Sequence, residues 1–509
     1  MLKNNIKLSH FILIISFVNL FLYHLPLFQF TFTNIDYKSL NGIMIIVSLA
    51  TLTLFLNTFV FYIVFFISRI LGKILIILLF CINSIAVYFI NTYSVIIDKT
   101  MIGNVLNTRF VESSSFLSFN LIVYLFFLGI IPGIFIFKIK TIKVNFIVFL
   151  RQIILVFIFI GILVYVNSSN WLWIDKHSKT LGGLVMPWSY IANTSRLFYH
   201  KNQENQKQIL LPNATVKDNK KSIVVLVIGE SARSKNFSLY GYEKKTNPLL
   251  SKINNIYSYK ANSSATYTTA GVKSILDHKN TNSLFEILPN YLFRNDVGVI
   301  WRTTNWGEPK VNIKDYQTRE DLKNINGEKK YRDEYDEVLL NGLKEQILAN
   351  SKNKILVVLH TSTSHGPTYY KKYPSEFNVF TPVCKSVELG KCTKEELMNA
   401  YDNTILYTDY ILAKLIDELN KIDEYNSTMF YVSDHGESLG EKNLYMHGIP
   451  ISIAPKEQLE IPFIVWLSDN SMRLKNNEIL SQYNVFHSVL DFLAIESPIY
   501  NENMSIFKK

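Results

Sequence analysis

Only three of the 509 residues are cysteine, Cys81, Cys384 and Cys392, so a fold stapled by many disulfides is excluded. No internal repeat or low-complexity tract is visible, which removes repeat arrays from consideration. Acidic residues are also short, with 41 Asp and Glu against 52 Lys and Arg and a formal net charge of +11. That balance suits an anionic partner, either a lipid surface or a nucleic acid. Charge itself nearly vanishes from five apolar runs at roughly 8–28, 41–67, 73–93, 117–137 and 147–166. Each is near the length of about 20 residues that crosses a hydrocarbon core.

Five spans place the two chain ends on opposite sides of a membrane. Lys3 and Lys7 precede the first run, Arg69 and Lys73 lie between the second and third, and Lys138, Lys140, Lys143 and Arg151 lie between the fourth and fifth. Cytoplasmic loops carry the excess of Lys and Arg, so that side is cytoplasmic and the chain after the fifth span is outside. The first run is long and no small-residue cleavage site follows, so it reads as an anchor and not a signal peptide. With the charge on that side of a membrane, a nucleic-acid partner is excluded. Cys81, inside an apolar run, is expected to be an unreactive packing residue.

Residues 1–166 therefore form a five-helix transmembrane domain. From 167 to 221 the chain reads as an interfacial helix, marked by Trp171, Trp173 and Trp188, and then a polar, Lys-rich tether over 202–221. Residues 222–509 read as one α/β domain. Apolar runs at 223–228, 298–301, 355–359, 428–432 and 463–467 predict parallel strands buried on both faces, with helical patterns over 335–349 and 395–421.

The chemistry gathers at the ends of those strands, where open α/β sheets bind ligands. Gly229-Glu-Ser231 follows the first, His360 and His365-Gly-Pro367 follow the third, and Ser433-Asp-His-Gly-Glu-Ser-Leu-Gly440 with Met446-His-Gly448 follows the fourth. A catalytic zinc takes three protein ligands from N, O or S donors and keeps one position open. Glu230, Asp434 and His435 meet that requirement. The hydroxyl-rich run Ser263-Ser-Ala-Thr-Tyr-Thr-Thr269 leads into an apolar segment fit to start a helix, whose first amides would face a phosphate. A threonine there could act as a metal-activated nucleophile, and Thr266, Thr268 and Thr269 are equivalent on composition.

Three segments carry a resemblance. Gly229-Glu-Ser-Ala-Arg-Ser-Lys-Asn-Phe-Ser-Leu-Tyr-Gly-Tyr242, Ala400-Tyr-Asp-Asn-Thr-Ile-Leu-Tyr-Thr-Asp409 and Ser433 to Gly440 resemble the bacterial phosphoethanolamine transferases of the lipid A-modifying type, related to the mobile colistin-resistance enzymes. The likeness covers nearly the whole chain. It implies an alkaline phosphatase or sulfatase fold, and a Zn2+ held by Glu230, Asp434, His435 and the nucleophile Thr268. It implies roles for His365 and His447 in substrate handling, and contacts from Asn104, Thr108 and Glu112 to the headgroup of a phosphatidylethanolamine donor. The acceptor would be lipid A or another envelope group. The protein would be a monomer in the bacterial inner membrane with its catalytic domain in the periplasm. Where that family has a pair of cysteines flanking the nucleophile this chain has Ser264 and Ser274, so packing and hydrogen bonds must hold that loop. Cys384 and Cys392 remain for one bridge, suited to an oxidising compartment.

Other readings fit less well. A phosphoglycerol transferase of the lipoteichoic acid type would carry different residues around the metal, a hydrolase of soluble substrates does not require five spans, and a scaffold would have a broken ligand set. His360 and His487 are expected to be structural.

Overall fold

The computed structural model describes residues 6–107, 116–166, 173–174, 177–204, 208–325, 331–387, 389–469, 471–476 and 479–508. The chain divides into two compact units, Met1–Asn202 and Gln203–Lys509.

In the first unit, Leu40–Ile67, Arg69–Tyr93, Phe119–Lys138 and Phe146–Tyr165 are each long and apolar enough to cross a membrane. The run expected at 8–28 is two helices, Leu8–Tyr23 and Leu25–Asn34, meeting at a 61° bend and together fit to make a fifth span. Pro26 sits in the first turn of the second helix, where it has no N–H to continue the preceding helix and its fixed φ favours a new helix start. Several polar side chains within the unit pair with one another, which lowers the cost of a polar group in an apolar medium. Asn57 donates to Asn19 Oδ1 at 3.0 Å, Trp188 Nε1 to Asn57 Oδ1 at 2.8 Å and Tyr190 to Asn83 Oδ1 at 2.9 Å. Arg69 donates to the carbonyl of Thr141 at 2.6 Å and Lys73 to that of Phe137 at 2.8 Å, while Ile6 pairs with Thr141. Three of the basic segments thus share one end of this unit, as the charge pattern requires. Asn104 lies on the helix Lys99–Asn107. Thr108, Glu112 and Trp171 lie outside the described residues.

The second unit is built on eight strands: β1 (Ser222–Gly229), β2 (Ile256–Asn262), β3 (Gly298–Thr303), β4 (Asp315–Thr318), β5 (Lys354–His360), β6 (Asn426–Ser433), β7 (Glu460–Leu467) and β8 (Leu480–Ser481). Their order in the sheet is β8-β2-β7-β6-β1-β5-β3-β4. Every residue of β1, β3 and β5 is buried, as expected of strands covered on both faces. The strands β6, β1, β5, β3 and β4 run parallel, so the ends of β1, β5 and β6 open on one edge.

Two expectations are corrected. The run at 463–467 is a strand, but β7 pairs antiparallel with both β6 and β2. Parallel return needs a crossover of a dozen or more residues, usually a helix. The chain between β6 and β7 holds only 3-10 turns and the two-residue strands Ser438–Leu439 and Tyr445–Met446. The single helix expected over 335–349 is broken into a 3-10 turn, Asp336–Leu340, and a short helix, Leu343–Leu348, with Gly342 between them at φ +60°. Asp336 is drawn out of helical register by Thr304, Ser362 and Thr363, whose hydroxyls donate to its carboxylate at 2.6, 3.0 and 2.6 Å.

From 208 the polar stretch expected as a tether lies along the second unit, where Ile209 bridges to Phe285 and Thr215–Val216 pairs with Ile495–Glu496. The helices of this unit include α1 (Thr268–Leu276), α2 (Lys394–Leu419) and α3 (Asn484–Phe492). A capping box of Thr393 and Glu396 starts α2. Just before it Cys384 and Cys392 are joined by a disulfide, eight residues apart in sequence.

Opening so small a loop should remove about 2–3 kcal/mol of stability in the chain-entropy view. Denaturant unfolding of the Cys384→Ser, Cys392→Ser double variant is expected to show that loss, and reducing agent should then have no further effect on it.

Candidate metal centre and active site

Four polar atoms converge where β1 and β6 end and α1 begins. Nε2 of His435 lies 3.5 Å from Oε1 of Glu230, 3.3 Å from Oδ2 of Asp434 and 3.4 Å from Oγ1 of Thr268. Oγ1 of Thr268 is also 3.4 Å from Oε2 of Glu230. All four residues are buried. A tetrahedral ion with bonds near 2.0–2.2 Å sets its ligand atoms roughly 3.3–3.5 Å apart, the spacing found here.

The proton inventory points the same way. Nδ1 of His435 is 2.8 Å from the carbonyl of Gly436, which can only accept, so Nδ1 carries the proton and the Nε2 lone pair faces two carboxylates. Burial, with the neighbouring His447 second, pushes the His435 imidazole down to about 4, which keeps it neutral. Burial and then the Glu230 charge push the Asp434 carboxyl well above its ordinary range. Oδ2 of Asp434 is buried with no hydrogen-bond partner, whereas Oδ1 accepts the amides of Ser231 at 3.0 Å and His435 at 2.7 Å. A cation among these atoms relieves each of these strains at once. The donor set fits a divalent metal.

Backbone geometry delivers the groups. Asp434 and His435 follow β6 directly, and the amide of Asp434 donates to the carbonyl of Gly229 at 2.9 Å, tying the two strand ends together. Ser231 adopts φ +52°, and its hydroxyl donates to Glu230 Oε1 at 2.7 Å. Thr268 is the first residue of α1, after Tyr267 in extended conformation. Thr266 instead donates to the carbonyl of Ile449 at 2.7 Å. The structure therefore separates threonines that composition leaves equivalent. Gly271 on α1 sits so close to the Asp434 carbonyl that a Cβ there would be 2.1 Å from the oxygen.

A group of imidazoles lies beside the cluster. The ring of His447 is centred 4.3 Å from that of His435 and 5.6 Å from that of His365. A ligand atom of His447 is within 4.8 Å of those of Glu230 and His435, so it too could approach a metal. Nδ1 of His447 is 2.9 Å from Oε2 of Glu437, whose other oxygen accepts the Tyr369 hydroxyl at 3.0 Å. Burial pushes the Glu437 carboxyl up to about 8. His360 is buried and pairs with Glu308 at 3.4 Å, and His487 lies 2.8 Å from the carbonyl of His278. Neither belongs to the four converging atoms.

Sequence reasoning missed Asn305. Its amide donates to Glu230 Oε2 at 2.7 Å and to the carbonyl of Thr361 at 2.8 Å, fixing the carboxylate. It follows β3, so the strand-end rule that finds Glu230 could have found it. The next turn passes over the start of α1 at Gly307, φ +98°, where a Cβ would lie 3.2 Å from Thr268 and 3.3 Å from Thr269. Ser231 and Glu437 lie inside the motifs, yet sequence alone assigns neither a role.

Glu230→Ala, Asp434→Ala and His435→Ala should each purify with markedly less divalent metal than wild type by elemental analysis. Gly271→Ala should do the same although it removes no ligand. Its methyl forces α1 and the Asp434 peptide apart, and misplacement of about 1 Å costs on the order of 100-fold in rate.

Comparisons with known proteins agree in both halves of the chain. The family model described as Sulfatase matches residues 222–495, and that described as Phosphoethanolamine transferase EptA/EptB matches residues 52–202. Phosphoethanolamine transferase EptA of Helicobacter pylori is 40% identical over 504 residues, covering 96% of this chain and 94% of that protein. The protein of the same name in Escherichia coli K12 is 32% identical, covering 82% of each. The solved structure of the integral membrane lipooligosaccharide phosphoethanolamine transferase A (EptA) from Neisseria meningitidis superposes with a TM-score of 0.87 over 99% of both chains at 26% identity.

Proposed function

The chain belongs to the EptA phosphoethanolamine transferase family, and from that membership and the four converging atoms we propose that it moves phosphoethanolamine from phosphatidylethanolamine to a lipid A phosphate, with Thr268 as the nucleophile. The single observation that carries this reading is the placement of Thr268 Oγ1 against Glu230 and His435 at the start of a helix.

Glu230, Asp434, His435 and Thr268 would hold a Zn2+, which when bound lowers the pKa of a coordinated hydroxyl and offsets charge on a transferring phosphoryl group. In the first step Thr268 Oγ attacks the phosphorus of the donor. The bond from phosphorus to the glycerol oxygen breaks, diacylglycerol leaves with a proton, and a phosphoethanolamine-threonine remains. In the second step a hydroxyl oxygen of the acceptor phosphate attacks the same phosphorus, its proton passes to Thr268 Oγ, and Thr268 leaves as its hydroxyl. The first amides of α1 and the helix dipole favour the anionic group being transferred. His447 and His365 border the cluster and supply the proton that the leaving glycerol oxygen takes up. Burial lowers the His447 imidazole, so it rests neutral and first takes up the proton that Thr268 releases before passing it to the glycerol oxygen.

Donor and acceptor are both lipids, which accounts for a membrane-spanning unit joined to an α/β domain. The positive-inside pattern supports a periplasmic catalytic domain with the spans in the inner membrane, and the protein is taken as a monomer. Asn104, Thr108 and Glu112 are assigned to the donor headgroup. The product gains an ammonium and loses net negative charge, which weakens Coulomb attraction for cationic peptides. Expression should therefore raise polymyxin resistance.

Lipid A extracted from expressing cells should gain the mass of one or two phosphoethanolamine groups, and lipid A from Thr268→Ala cells should not. Unmodified lipid A beside a modified core sugar or periplasmic protein would overturn the acceptor while leaving the transfer chemistry in place.

A further inference from the structure

The loop before the nucleophile has no covalent staple, since Ser264 and Ser274 stand in place of a cysteine pair. Part of its restraint comes from one buried amide. Gln482, in the turn between β8 and α3, has no exposed surface. Its Nε2 donates to the carbonyl of Ser433 at 3.0 Å and to that of Asp434 at 2.6 Å. Its Oε1 accepts the backbone amide of Ser264 at 3.0 Å and lies 3.4 Å from the hydroxyl of Ser263. The next residue, Tyr483, places its hydroxyl 3.2 Å from Ser274 on α1. One side chain thus bridges the segment leading to Thr268 and the peptide between Ser433 and His435.

We infer that Gln482 is a positioning residue for the transfer: its carboxamide sets the separation of Thr268 from Asp434 and His435, and so the metal affinity and the reach of the nucleophile. The inference rests on the proposed transfer for the catalytic step, and on the ligand geometry alone for the metal.

The chemistry of the partners selects glutamine. Two carbonyls face one end of the side chain and an N–H faces the other, so the site needs a donor pair and an acceptor at fixed separation. A glutamate lacks the donors and would turn a carboxylate oxygen toward two carbonyl oxygens. An asparagine is one methylene short of spanning the gap. The Asp434 carbonyl is held from two further sides, by the Ser263 hydroxyl at 2.8 Å and by the close approach of Gly271. Removing the amide therefore deletes the shortest of these hydrogen bonds to a peptide whose side chain is a candidate ligand. Partners that orient ligands in this way typically change metal affinity by about 10–100-fold when lost.

The test uses full-length protein in detergent and compares wild type with Gln482→Met, which keeps length and removes every hydrogen bond. Zinc affinity is read by chelator competition without substrate, kcat and KM are read with phosphatidylethanolamine vesicles and lipid A, and folding is read by thermal unfolding of the metal-free protein. The expected result is zinc affinity lower by about 10–100-fold and kcat lower by about tenfold or more, with KM for the donor unchanged. A folded variant with wild-type zinc affinity and kcat overturns the inference, as does a lowered unfolding temperature with both constants intact. Should Gln482→Met fail to fold, Gln482→Asn keeps part of the network and is expected to show the same pattern at reduced size. If wild type transfers nothing to lipid A, the proposed function falls, and zinc affinity alone then decides the role of Gln482.

Discussion

Glu230 and Asp434 direct two buried carboxylates at the same imidazole nitrogen, an arrangement that a cation among them would stabilise. The rest of the catalytic unit can be read as what it takes to keep them there. The Gly436 carbonyl fixes the tautomer of His435, the amides of Ser231 and His435 take one oxygen of Asp434, and Asn305 with Ser231 takes those of Glu230. Parallel β1 and β6 end side by side, so groups about 200 residues apart in sequence meet without a loop having to find them. Thr268 completes the cluster because α1 begins there and nowhere else.

Much of this arrangement is legible in the amino-acid sequence. Long apolar runs, strand-end motifs and an adjacent Asp-His pair are local signals, and each of the strands at 223–228, 298–301, 355–359, 428–432 and 463–467 is present. The choice of Thr268 over Thr266 and Thr269 comes from resemblance, because hydroxyl composition does not encode which residue starts a helix. Direction of pairing is not legible for β7: a buried strand looks alike in parallel and antiparallel use, and only the missing crossover helix after β6 betrays it. The helix expected over 335–349 fails because Asp336 is claimed by three hydroxyls from two other strand ends, contacts that periodicity cannot contain.

Gln482 and Asn305 mark the boundary of sequence reasoning from the other side. Asn305 obeys the strand-end rule yet stands outside the motifs. Gln482 obeys no rule, since a glutamine in a turn beside a two-residue strand has no signal until the fold brings Ser264 and Asp434 to it. In the first unit the bend at His24 is equally hidden within a continuous apolar run, although Pro26 is its cause. The positive-inside pattern, by contrast, groups three segments that do share one end of that unit.

The central claim is that Thr268 alone carries the transferred group. Purified protein incubated with phosphatidylethanolamine bearing an isotopically labelled headgroup, without acceptor, then quenched and digested, reports it by peptide mass spectrometry. Label is expected on the peptide containing Thr268, with fragmentation that localises it to that side chain and discharge of the label when lipid A is added. Label on Thr266, Thr269 or a histidine, or a labelled threonine that lipid A never discharges, would contradict it.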